Sequence, residues 1–133
     1  MLVSDWSRSD QPGAYRNSDN RTTMRLHALD AWVRDTAVLT DADALRDILE
    51  AGADAGGATV VGEEFHVFPN GAVTGVLVLA QSHLSIHTWP EFALANVDLL
   101  TYGDVRADEV LRVISDRLDV ARATVTSITR ALG

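Results

Sequence analysis

The sequence predicts an α+β fold: a two-layer sandwich with two helices on one face of an antiparallel-rich sheet, in the order β-α-β-β-β-β-α-β. Leu45, Ile48, Leu49 and Ala53 form one helical stripe, and Val110, Leu111, Ile114 and Leu118 a second. Between and around them lie short β-branched or alternating runs broken by turn residues, such as Pro69-Asn70-Gly71. A chain of 133 residues suits one domain that buries its core without metal or disulfide staples.

Ser4 to Thr23 is rich in Ser, Asp, Asn and Arg and shows neither helical nor strand periodicity. Residues 1–23 therefore read as a flexible N-terminal extension and residues 24–133 as the domain. Met24 to Val33 is the first strand, with apolar residues at Leu26, Ala28 and Trp32. Thr40, with Asp43 three residues on, is the expected N-cap of the first helix, which Gly56-Gly57 ends. A meander follows: Ala58 to Val61 and Glu64 to Phe68, the turn, then Val73 to Ala80. Ser82 to Thr88 alternates, with Leu84, Ile86 and Thr88 on one side and His83, Ser85 and His87 on the other, until Pro90 stops it. Ala95 to Thr101 is a further strand, and Ala123 to Thr129 the β-branched last one.

Val76-Leu77-Val78-Leu79 is apolar on both strand faces, yet two helices cover only one face of a sheet. The same sheet from a second copy would cover the other, which predicts a homodimer layered helix-sheet-sheet-helix. The alternative is a central strand with one face partly exposed.

Composition excludes several functions. With 11 basic and 19 acidic residues the chain carries a formal charge of -8, the wrong sign for nucleic acid or an anionic membrane. It has no cysteine, hence no disulfide, thiolate metal site or cysteine nucleophile. All its basic residues are arginine, so lysine-anchored pyridoxal phosphate chemistry is closed to it. The start is too polar for a signal peptide, and the nearly apolar run Ala72 to Ala80 is far below the ~20 residues a membrane helix needs. A cytoplasmic protein is expected.

The chemistry-bearing segment is Gln81-Ser82-His83-Leu84-Ser85-Ile86-His87-Thr88-Trp89-Pro90-Glu91. On a strand His83 and His87 stand about 13 Å apart, too far to share a metal ion. Ser82 lacks the Gly-x-Ser-x-Gly elbow of a serine hydrolase. Polar residues on a hydrogen-bonded sheet face are the plain alternative.

Gln81 to Glu91 resembles the signature of the prokaryotic S-adenosylmethionine decarboxylase proenzymes, Glu-Ser-His-Leu-Ser-Ile-His-Thr-Trp-Pro-Glu, differing only at its first position. Weaker similarity runs from about Leu26 to Leu118. Leu45 to Val61 is similar to the family's first helix and the strand after it, His66-x-Phe68 to its His-x-Phe, and Thr101-x-Gly103-Asp104 to its Thr-Cys-Gly-Asp. The resemblance implies the two-layer fold reached above and dimers that pair sheets around two active sites.

It also implies a chemistry that needs neither lysine nor cysteine. The Ser82 hydroxyl attacks the carbonyl of Gln81, an ester replaces the peptide bond, and elimination cleaves the chain between 81 and 82. Once water replaces the serine nitrogen, which leaves as ammonia, the new chain start is a pyruvoyl group, a self-generated cofactor whose ketone condenses with a substrate amine and accepts the electrons released as carbon dioxide leaves. By the same resemblance His87 removes the proton that drives processing, Phe68 stacks on adenine, Glu91 holds ribose hydroxyls and Trp89 packs at the site. On the residues alone, Phe68 is equally a core aromatic and Glu91 a surface acid.

Three positions depart from the family pattern. Gln81 replaces Glu beside the scissile bond, which leaves the attacked carbonyl unchanged. Thr74 stands at the processing serine and keeps the hydroxyl that can bond an oxyanion. Tyr102 stands at the catalytic cysteine, replacing a thiol with reference pKa ~8.5 by a phenol at ~10 and filling pocket volume. Three functions are therefore expected to compete: decarboxylation of S-adenosylmethionine or a close adenosyl analogue, decarboxylation of another amine such as arginine or ornithine, and a non-catalytic regulatory homologue.

Overall fold

The computed structural model describes residues 23–131; the predicted extension lies outside them except for Thr23. The strands are β1 (Met24–Val33), β2 (Val60–Val67), β3 (Val73–Leu79), β4 (Ser82–Trp89), β5 (Leu94–Tyr102) and β6 (Val120–Arg130). The helices are α1 (Ala42–Ala55) and α2 (Ala107–Leu118). The element order is the predicted one. All six strands form one sheet in the order β2-β3-β4-β5-β1-β6, with every neighbouring pair antiparallel.

Both helices lie on one face, α1 over β2 and β3 and α2 over β1 and β6. The two predicted stripes point inward: Leu45, Leu49, Val110, Leu111, Ile114 and Leu118 are buried against Leu29, Leu77, Leu84, Ile86, Val97 and Leu99. Gly52 and Gly56 let the helices touch, since an added Cβ would fall 2.7 Å from Ile114 and 2.3 Å from Val110. Arg106 stitches the pair together at its end, its backbone N–H donating to Gly56 O at 2.9 Å and its guanidinium to Ala55 O at 3.1 Å.

One local reading is corrected and two are refined. The α1 N-cap is Asp41, whose Oδ1 accepts from Ala44 N at 3.1 Å; Thr40 instead closes a single 3-10 turn, Thr36–Thr40, and its hydroxyl donates to Ala37 O. The two short runs after α1 are one strand, β2, whose register with β3 shifts between Val60 and Gly62. In β1 the helix-facing residues are His27, Leu29, Ala31 and Val33, while Leu26, Ala28 and Trp32 lie on the opposite face. Both sets contain apolar residues because both faces of this sheet are apolar, so alternation alone does not choose between them.

Among the described residues no helix lies on that opposite face. It displays Leu26, Ala28, Val76, Val78, Leu100 and Ile128 through its middle, with Val78 47% and Ile128 50% exposed. Thr74, His87 and Trp89 lie on it at one end and Tyr102 at the other, where Ser82 in the β3–β4 hairpin has the parity of the helix-facing Leu84 and Ile86.

Candidate active site

Alternation in β4 is as predicted: Leu84, Ile86 and Thr88 are buried under the helices, and His83, Ser85 and His87 belong to the uncovered face. Thr88 anchors the strand. Its hydroxyl donates to Leu39 O at 2.7 Å and accepts from Val73 N at 2.8 Å, pinning β4 to β3 and to the 3-10 turn.

On the other side of this anchor stands the first group of residues. His87 lies opposite Thr74 in the β3–β4 register, and its Nδ1 is 2.6 Å from Thr74 Oγ1. Phe68 reaches the same place from a turn closed by Phe68 N to Ala72 O at 2.8 Å and by Ala72 N to Asn70 Oδ1 at 3.0 Å. Aromatic rings then run in a chain: His66 against Phe68 at 4.6 Å, Phe68 against His87 at 6.0 Å, His87 against Trp89 at 4.4 Å, and Trp89 against Phe92 at 6.5 Å between centroids. Phe68 and Trp89 are each 38% exposed, so flat apolar surface is open to a ligand. Glu91 is exposed on the single 3-10 turn Pro90–Phe92 that follows β4, where Ala93 reverses the chain with φ 53°.

The second group occupies the other end of β4. Ala80 and Gln81 form the two-residue turn between β3 and β4, and Gln81 has φ 70°, a left-handed conformation that costs a non-glycine residue about 1 kcal/mol. Ser82 follows directly, with its hydroxyl donating to Leu100 O on β5. Tyr102 ends β5 on the uncovered face, half-buried, in register with Met24 of β1.

The two groups do not meet within one chain. Ser82 and His87 are five strand residues apart, roughly 17 Å at about 3.3 Å per residue, and their side chains alternate to opposite sides. The strand that carries the motif keeps its serine away from its own histidine.

Sequence reasoning missed Asn96 and Asp30, which face His87 in one row across β4, β5 and β1. Trp89 Nε1 donates to Asn96 Oδ1 at 2.7 Å, and Asn96 Nδ2 donates to Asp30 Oδ1 at 2.7 Å. The motif gave no signal for either, because both depend on the β1–β5 register. Nearby, burial first and then the charge of Asp30 push the Asp98 carboxyl above its ordinary pKa, partly offset by His83.

Fold and site define a small α+β sandwich that displays a serine hairpin and a Thr–His pair at opposite ends of one uncovered sheet face. Residues 25–131 match the family model described as S-adenosylmethionine decarboxylase, and the chain belongs to that family. It is similar to proteins named S-adenosylmethionine decarboxylase proenzyme. One from Pseudomonas aeruginosa is 45% identical over 65% of this chain and 54% of its own length. One from Caldanaerobacter subterraneus is 38% identical over 74% of this chain and 80% of its own. The crystal structure of the adenosylmethionine decarboxylase from Aquifex aeolicus is 32% identical and superposes with a TM-score of 0.75, covering 84% of this chain and 94% of that one. The chain thus spans about half the length of the Pseudomonas relatives and most of the others.

Proposed function

We propose that the protein is a self-processing, pyruvoyl-dependent decarboxylase of S-adenosylmethionine or a close adenosyl analogue, working as a homodimer. One observation carries the reading: the serine hairpin and the Thr–His pair that processing requires stand at opposite ends of an uncovered apolar sheet face. A two-fold axis between two such sheets, perpendicular to the strands, sets each end of one copy against the other end of its partner. Ser82 and Tyr102 of one protomer then share a site with Thr74, His87, Phe68, Trp89 and Glu91 of the other.

Each residue has a task suited to its surroundings. The Leu100 carbonyl orients the Ser82 hydroxyl beside the carbonyl carbon of Gln81, and the left-handed turn at Gln81 favours rearrangement of that peptide bond. With His87 Nδ1–H donating to Thr74, Nε2 keeps the lone pair that a base needs for proton removal, and the Thr74 hydroxyl hydrogen stays free to bond the oxyanion. Phe68 offers a ring face to adenine, and Glu91 on its exposed turn offers acceptors to ribose hydroxyls. Formed from Ser82, the pyruvoyl ketone would supply the electron sink for decarboxylation. Tyr102 is placed to return a proton to the product.

A second reading draws on Tyr102, whose ring stands half-buried at the position where the resemblance places a catalytic thiol. A narrowed pocket would favour another amine, arginine or ornithine, and loss of the proton donor would leave a regulatory homologue. Denaturing mass spectrometry of the purified protein tests the main reading. The expected products are a chain of 81 residues and one of the remaining 52 that begins with pyruvoyl. An intact chain after prolonged incubation would overturn it. Light scattering should return twice the chain mass, and a monomer at micromolar concentration would count equally against the shared site.

A further inference from the structure

Trp89 is held by a hydrogen-bond chain with a fixed direction. An indole N–H only donates and a carboxylate only accepts, so the Asn96 amide has one orientation that satisfies both Trp89 and Asp30. That bond fixes where the indole edge points, and the ring stands against His87 at 66° with centroids 4.4 Å apart. His87 is thereby enclosed on three sides, by Trp89, by Phe68 and by the Thr74 hydroxyl. The first of these walls depends on Asn96 and Asp30, which touch neither Ser82 nor the scissile bond.

We propose that Asn96 and Asp30 are positioning residues for self-cleavage. They hold Trp89, and through it they hold the His87 ring in the orientation from which Nε2 removes its proton. This rests on the role given to His87 above. A displacement of about 1 Å at a reacting group costs up to about a hundredfold in rate. Asn96→Leu keeps the side-chain size and removes both polar ends, so cleavage should slow by roughly tenfold to a hundredfold.

A reciprocal swap tests the chain of bonds itself. Asn96→Asp still accepts from the indole but sets two carboxylates face to face and should slow cleavage, whereas Asp30→Asn keeps an amide oxygen that accepts from Asn96 Nδ2 and should cleave within about threefold of wild type. Combining them rebuilds the chain in reverse, with the new amide at position 30 donating to the new carboxylate at position 96, and should restore the rate to within about threefold of wild type. In the unprocessed Ser82→Ala protein, the Trp89 indole N–H resonance should move upfield and exchange faster with water in Asn96→Leu, and recover in the double swap. Cleavage of Asn96→Leu at the wild-type rate, or a folded double swap no faster than Asn96→Asp alone, would overturn the proposal. A wild type that never cleaves would overturn the role in processing, while an unmoved indole resonance in Asn96→Leu would overturn the tether on its own.

Discussion

Acid should destabilise the protein through His27. Its ring is 1% exposed, with Nδ1 2.9 Å from Ser127 Oγ and Nε2 3.4 Å from Thr101 Oγ1. Burial first, then the charge of Arg25, lowers its pKa from 6.5 to about 4. At roughly 1.4 kcal/mol per pH unit, charging the buried ring costs the fold about 3 kcal/mol. Above pH 6.5 the ring is neutral in both states and contributes no pH dependence. Between 6.5 and 4 the unfolded chain takes up a proton that the folded chain does not, so stability falls with pH; below 4 both states carry it and the loss is complete. Urea unfolding of the Ser82→Ala protein at pH 7, 6, 5 and 4.5, with and without His27→Gln, isolates this effect because the other titrations are common to both. The histidine protein should lose most of those 3 kcal/mol beyond what the glutamine protein loses. Two curves that stay parallel from pH 7 to 4.5 would refute the reasoning.

Ser82→Ala should leave the chain whole by mass spectrometry yet folded; cleavage in that variant would remove Ser82 from the mechanism. Thr88→Val leaves the buried Val73 N–H and Leu39 C=O without the hydroxyl, and should destabilise the fold by about 2 kcal/mol in urea titrations. Tyr102→Phe should process normally but lose labelled carbon dioxide release from S-adenosylmethionine by roughly 10²–10⁴-fold. Unchanged release there, with a gain in Tyr102→Cys, would instead assign the ring to narrowing the pocket.

The helices were legible because α1 and α2 each bury one face, so their stripes have a single reading. β4 was legible for the same reason: Leu84, Ile86 and Thr88 alternate cleanly with polar neighbours. β1 was not, because Leu26 and Ala28 suit an uncovered apolar face as well as Leu29 and Ala31 suit the core. Thr40 and Asp41 are both sound caps, and only the 3-10 turn before α1 decides for Asp41. Strand spacing already implied that Ser82 and His87 are far apart, as it did for His83 and His87. Asn96 and Asp30 are 66 residues apart and meet only through the β1–β5 register, for which the sequence has no local signal.

The shared site is tested most directly by pairing two inactive chains. Ser82→Ala and His87→Ala variants carrying different tags are co-expressed, and the mixed dimer is purified through both tags. Neither variant should cleave alone. In the mixed dimer one site lacks both groups, while the other joins the serine of the His87→Ala chain to the histidine of the Ser82→Ala chain. The His87→Ala chain should therefore be cut between Gln81 and Ser82 while the Ser82→Ala chain stays intact. A purified mixed dimer in which both chains remain whole would contradict the account.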